Sequence, residues 1–150
     1  MRRSIHIVRP PVVDGLDLDI LESYRVYDHF ALAAELWRLA ARPERASAID
    51  ELVLRAYDYD VPLLTTPDIE KMLGLLAGLD DAIYGAVANE RHEIPIGQLP
   101  TLRMRTKLLD ISESRGNDAV FAVQEALVHV HNLQSALRSA LERDAHIVFD

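Results

Sequence analysis

Apolar side chains recur every three to four positions over most of this 150-residue chain, and this helical spacing constrains its fold more than any other feature. Prolines divide the pattern into separate stretches, because proline removes a backbone donor and is best tolerated in the first turn of a helix. Pro43 is therefore expected to begin a second helix, and Thr66 with Pro67 a third. The predicted helices cover residues 19–42, a stretch that starts at Pro43, residues 66–89 and residues 117–143.

The two ends of the chain share the tripeptide His-Ile-Val, in "SIHIVRPP" (residues 4–11) and "AHIVFD" (residues 145–150). Residues 4–9 alternate between two sides, which is typical of a strand. A two-stranded ribbon is marginal by itself, so paired ends would need to pack on the helices or join a second copy. The expected fold is all-α: a single helical domain over residues 1–150, an irregular four- to five-helix bundle with short terminal strands that could pair with each other.

Residues 101–113, within the segment "TLRMRTKLLDISES" (residues 101–114), could form either a helix or a strand. As a helix it would present Met104, Leu108 and Ile111 on one face. As a strand it would place Arg103, Arg105 and Lys107 together, where they could bind an anion. The scarcity of β-branched residues favours the helix, with the basic side chains in solvent.

Charge and composition restrict the classes of function. A net charge of −8 argues against nucleic acid and anionic lipid as partners, and it permits a basic protein partner. The absence of cysteine excludes disulfides, thiolate metal sites and cysteine nucleophiles. No apolar run approaches the length of a membrane span, and the first residues lack a signal-peptide core, so we expect a cytoplasmic protein.

Motifs for catalysis and metal binding are missing from the sequence. It contains no G-x-S-x-G, phosphate-binding loop, H-E-x-x-H or Glu-x-x-His pattern. His129 and His131 are two positions apart, which turns them about 200° from each other on a helix and prevents a shared ligand. We therefore expect no catalytic residue, no cofactor and no metal.

Two acidic patches suggest recognition of a basic partner. Asp14, Asp17 and Asp19 form one patch, and Asp58 and Asp60 flank a tyrosine in the other. Acidic side chains steer a basic protein, and tyrosines supply contact area. The favoured hypothesis is a non-enzymatic protein-binding domain, such as a bacterial immunity or antitoxin protein that masks a nuclease. The candidate partner-binding residues are Asp14, Asp17, Asp19, Tyr27, Tyr57, Asp58, Tyr59 and Asp60.

Two polar residues interrupt the apolar stripes of the predicted helices. Asp80 lies between apolar positions of the third helix, and Gln134 between those of the last. The alternative hypothesis is therefore a small-ligand-binding or enzymatic bundle whose interior pocket holds Asp80, Gln134 and His131. A helix end in water, or a core hydrogen bond that sets register, would also account for both residues. A homodimer joined by its terminal strands is a third hypothesis.

Overall fold

The structure, a computed structural model, describes residues 3–13, 17–26, 29–58, 61–83 and 119–149. Within these residues, helices are combined with a four-stranded antiparallel sheet, so the fold is mixed α/β and the all-α prediction is wrong. Residues 79–83 are also helical. The elements are β1 (Arg3–Arg9), β2 (Asp19–Val26), α1 (His29–Leu39), α2 (Pro43–Ala56), β3 (Leu63–Leu64), α3 (Thr66–Leu76), α4 (Ala119–Glu142) and β4 (His146–Phe149).

The two terminal strands pair with each other, as their shared tripeptide predicted. The sheet has the order β2-β1-β4-β3, and every neighbouring pair is antiparallel. Ile5 lies opposite Phe149, and Ile7 lies opposite Ile147. Because β4 is paired with β1 on one side and with β3 on the other, the last strand of the chain is in the interior of the sheet.

The helix predicted over residues 19–42 is wrong in its first half. Asp19–Val26 forms β2, and α1 begins only at His29. The spacing of four between Ile20 and Tyr24 caused the error, since residues four apart share a face in a helix, whereas in β2 they pair with Val8 and Ile5 on opposite faces of the sheet.

A β-bulge made the strand hard to recognise. Ile7 pairs with Glu22 while the next residue, Val8, pairs with Ile20, which leaves Leu21 as an extra residue on β2. An inserted residue breaks the alternation of side chains that would otherwise indicate a strand. The pattern of "DILESYRV" therefore lacks the period of two that residues 4–9 show.

The main core lies between one face of the sheet and the helices. Ile5, Ile7 and Ile147 point from the sheet into this core and are fully buried. The opposite face carries a smaller buried cluster of Val8, Leu63 and Val148. The partly buried side chains that cover it are Val12, Leu18 and Val61.

The later helices start close to their predicted positions, but α3 is shorter than expected. Pro43 begins α2 and Thr66 begins α3, while Ala119 is the first described residue of α4. α3 ends at Leu76, and a turn with Gly78 at φ 79° precedes helical residues 79–83. Residues 84–89 and the ambiguous segment 101–113 lie outside the described residues.

Glycines 74 and 78 do not mark a close approach of another backbone. A Cβ atom built on either residue would meet nothing within 4 Å. Gly78 instead serves the turn, because its positive φ strains any residue with a side chain. Of the helices in the described ranges, none has the length and apolar character that a membrane crossing requires.

Candidate functional site

The start of β2 brings predicted acidic residues together with exposed apolar ones. Asp17 and Asp19 are exposed, and so are Val13, at 46%, and Ile20, at 49%. Val12 and Leu18, the neighbours of Val13 and Asp17, pack on the same small cluster beside Val8. These contacts place the four exposed side chains at one end of the sheet. We call Val13, Asp17, Asp19 and Ile20 the β2 corner.

Within the described residues, Arg9 compensates part of the acidic charge of the β2 corner. Arg9 Nη1 lies 3.5 Å from Asp19 Oδ2, and both side chains are exposed. Such surface ion pairs contribute little to stability, so Asp19 remains available to another cation. Asp14, the third residue of this predicted patch, lies outside the described residues.

The second predicted patch lies on a different part of the sheet. The ring of Tyr57, whose side chain is exposed, is 5.6 Å from that of Phe149. Phe149 pairs with Ile5, whereas Asp19 pairs with Arg9, four residues and about 13 Å further along β1. Asp58 follows Tyr57 and is exposed, while Tyr27, Tyr59 and Asp60 are not among the described residues. The structure therefore does not join the two patches into one site.

A polar cluster that the sequence analysis missed attaches β2 to α4. Glu22 accepts hydrogen bonds from the Tyr24 hydroxyl, at 2.7 Å, and from Ser139 Oγ, at 2.9 Å. Arg143 Nη2 lies 3.4 Å from the same carboxylate. The hydrogen bonds from Tyr24 and Ser139, with the charge of Arg143, lower the pKa of Glu22. The hydrogen bond to Glu22 also raises the pKa of Tyr24.

A prediction of residues 19–26 as a strand would have placed Glu22 and Tyr24 together. Glu22 and Tyr24 are two positions apart, and residues at this spacing share one face of a strand. Ser139 on α4 and Arg143, the residue after α4, are four apart, a spacing that places them on the same side of the helix end. No local pattern, however, indicates that these two faces meet.

The three residues of the predicted pocket do come near one another. His131 Nε2 lies 2.6 Å from Asp80 Oδ2, and the side chains are 48% and 43% exposed, respectively. Gln134, one turn along α4, donates from Nε2 to the carbonyl oxygen of Leu76 at 3.4 Å. Because Asp80 is nearly half exposed, its carboxylate lies at the protein surface, where helical residues 79–83 meet α4.

Side chains from three helices cap the carboxyl end of α3, and Gln134 is one of them. Trp37 Nε1 of α1 donates to Leu75 O at 2.8 Å. Arg45 of α2 donates to Gly74 O at 3.5 Å and to Ala77 O at 3.3 Å. The last carbonyl groups of a helix have no partner within it, so these contacts stabilise the break after α3. Gln134 thus has a structural role as a cap.

The histidines of the described residues are dispersed. His6 Nδ1 lies 2.7 Å from Ser23 Oγ on the sheet. His29 is buried and meets His129 edge to face, with ring centroids 5.1 Å apart. No group of three or more residues with metal-binding side chains occurs within the described ranges.

No protein-family model, curated protein or solved structure matches this chain. The β2 corner combines exposed acidic and exposed apolar side chains with the edge of a sheet. Asp80 and His131 combine a carboxylate with an imidazole at hydrogen-bond distance. These are the two candidate sites.

Proposed function

We propose that this chain is a non-enzymatic protein-binding domain that binds a basic partner through the β2 corner. The observation that carries the proposal is the exposure of Ile20 and Val13, each nearly half accessible, beside Asp17 and Asp19. Isolated exposed aliphatic residues are ordinary on protein surfaces, but apolar side chains surrounded by polar ones are typical of interaction sites.

The charge of the chain supports a basic partner. A net charge of −8 gives an acidic field that attracts a basic protein from a distance. Complementary charge mainly raises the association rate, while buried apolar contacts slow dissociation. The β2 corner has side chains of both kinds, so it would contribute to both steps.

A specific form of this proposal is an inhibitor of the immunity or antitoxin type. Nucleases that bind phosphate backbones have basic surfaces, and an acidic domain can cover such a surface. Inhibition then follows from occlusion and requires no catalytic residue in the inhibitor.

Capture from host lysate with matched variants tests the binding proposal. We expect the wild type to retain one stoichiometric basic protein, and Ile20→Ser to lose it. Val128→Ser is the matched control, because Val128 on α4 is also 49% exposed. It lies 11 residues, about 16 Å, from Ser139, the α4 residue that contacts β2. Equal retention by both variants would remove the β2 corner from the interface.

Charge variants separate steering from contact. In the double variant Asp17→Asn with Asp19→Asn, we expect association to slow by about tenfold at low salt, with a smaller effect at high salt, because salt screens exposed charges. Dissociation should change less. A rate unaffected at low salt would contradict a steering role. If the captured protein is a nuclease, the wild-type chain should inhibit it, and undiminished cleavage would exclude the inhibitor form.

The contact between Asp80 and His131 supports a second candidate, a small-ligand-binding or enzymatic site with Gln134 nearby. A carboxylate that orients an imidazole is a common arrangement for acid–base chemistry. Nuclear magnetic resonance of the His131 ring during titration with metabolite pools tests it. A ligand should shift the His131 signals in the wild type but not in Asp80→Asn. Shifts of equal size in both proteins would argue against this site.

A further inference from the structure

We propose that the basic partner binds by strand addition, with an extended segment of the partner pairing along the outer edge of β2. The inference rests on the proposed function and specifies how the β2 corner would be used. Strand addition provides backbone hydrogen bonds for affinity, while side chains beside the strand select the partner.

The position of β2 in the sheet makes this possible. β2 is eight residues long and lies at one end of the strand order, where β1 is its only partner among the described strands. The other edge strand, β3, has two residues and offers little backbone to a partner. An edge strand presents a row of N–H and C=O groups that can pair with another chain.

β2 has the bulge at Leu21 and three charged residues, Asp19, Glu22 and Arg25, which are features that discourage pairing at a sheet edge. Its sequence, "DILESYRV", contains neither proline nor lysine. The bulge at Leu21 lies near the start of the strand, and Glu22–Val26 pair in regular register with Arg3–Ile7. This regular part is long enough to accept an added strand.

The Glu22 cluster fixes the position of β2 before any partner binds. Ser139 on α4 and Arg143, in the turn after α4, contact Glu22 from the core side of the sheet, and among the described residues these contacts do not occupy the outer edge of β2. Because β2 is already anchored, little conformational entropy is lost from it when a strand is added.

Charge selects a basic segment over a second copy of this chain. Two copies would each bring a net charge of −8, and their mutual repulsion opposes association. A basic segment would instead place its cations beside Asp17 and Asp19. An apolar side chain of the segment would cover Ile20, which is nearly half exposed.

Hydrogen exchange of the β2 amides, with a defined peptide, tests the inference. The probe is acetyl-Lys-Val-Lys-Thr-Lys-Val-Lys-Thr-amide, which matches the length of β2. We expect the β2 amides that point away from β1 to exchange rapidly in the free protein. Saturating peptide should slow their exchange by about tenfold. A peptide of the same sequence with N-methylated backbone amides is the control, since it keeps the charge but cannot form the ladder.

Four outcomes would overturn the inference. In the free chain, the outward amides would be protected at low concentration, or their protection would rise with protein concentration when no peptide is present. With peptide, the amides would stay unprotected at about millimolar concentration, or the N-methylated peptide would bind equally well. Protection that rises with protein concentration would identify a second copy as the occupant.

The same measurement on the captured complex separates this inference from the proposed function. Suppose that Ile20→Ser no longer captures the partner, and that the β2 amides of the wild-type complex are unprotected. This result would contradict strand addition and support binding at the β2 corner. A partner that is retained by Ile20→Ser would contradict the proposed function itself.

Discussion

Glu22 shows how single residues in this protein depend on contacts between distant parts of the chain. Its carboxylate connects Tyr24 on the same strand with Ser139 on α4 and with Arg143, the residue after α4. These groups stabilise the ionised form, which is why the pKa of Glu22 is lowered. A lowered folded-state pKa means that ionised Glu22 stabilises the fold at neutral pH. This contribution is lost as the pH falls below the ordinary glutamate pKa and through the lowered one.

We expect Glu22→Gln to unfold at a lower temperature than the wild type at pH 7, with a smaller difference near pH 2, where the wild-type carboxylate is protonated. Thermal unfolding at a series of pH values between about 2 and 7 measures both effects. Glu51→Gln is the control, because Glu51 is an exposed glutamate on α2. A constant difference between Glu22→Gln and the wild type over this range would contradict the role of Glu22.

At the scale of elements, the two glycines near the end of α3 have different structural roles. Gly74 is an exposed helical residue, and Gly78 forms the turn with φ 79°. Neither position has an atom near the site of a Cβ, so substitution changes backbone energy without a steric clash. The side chains that cap the carboxyl end of α3 hold the turn in place.

We expect Gly78→Ala to destabilise the protein by about 1 kcal/mol, because alanine is strained at positive φ. Gly74→Ala should stabilise it by about 0.5–1 kcal/mol, because alanine loses less backbone entropy than glycine in a helix. Urea unfolding of both variants measures the difference. A loss of stability in both, or a gain in both, would contradict the different roles of the two residues.

At the scale of the whole molecule, β4 joins the two ends of the chain in the interior of the sheet. Ile147 is fully buried and lies opposite Ile7 on one side and Leu64 on the other. The final strand therefore connects β1, from the start of the chain, with β3, from its middle. Removal of β4 would separate these two strands and open the core beneath them.

We expect Ile147→Ala to lower the free energy of unfolding by about 2–5 kcal/mol, the range for removal of a buried aliphatic side chain. Ile20→Ala is the control, since Ile20 is exposed on β2, and its effect should stay within about 0.5 kcal/mol. Chemical denaturation measures both values. Equal, small effects would contradict a central role for β4.

Part of the candidate site was predictable from the sequence. Asp17 and Asp19 were predicted as partner-binding residues, and the structure shows both exposed at the start of β2. The exposure of Ile20 was not predicted, because residues 19–42 were expected to form a helix and Ile20 lies at its apolar spacing. Asp80, Gln134 and His131 were predicted to share an interior pocket; the structure shows a contact between Asp80 and His131, and the capping contact of Gln134 depends on where α3 ends.

The sequence by itself determined the features that depend on a few consecutive residues. Proline and capping preferences act within one turn, so the starts of α2 and α3 at Pro43 and Thr66 followed from local rules. The alternation in residues 4–9 and the shared tripeptide indicated the pairing of β1 with β4. Only the tertiary structure decided the helix-or-strand choice for residues 19–26, the order of the sheet and the Glu22 cluster. Each of these depends on partners far away in the sequence, and an isolated strand has no stable backbone pairing until such a partner is in place.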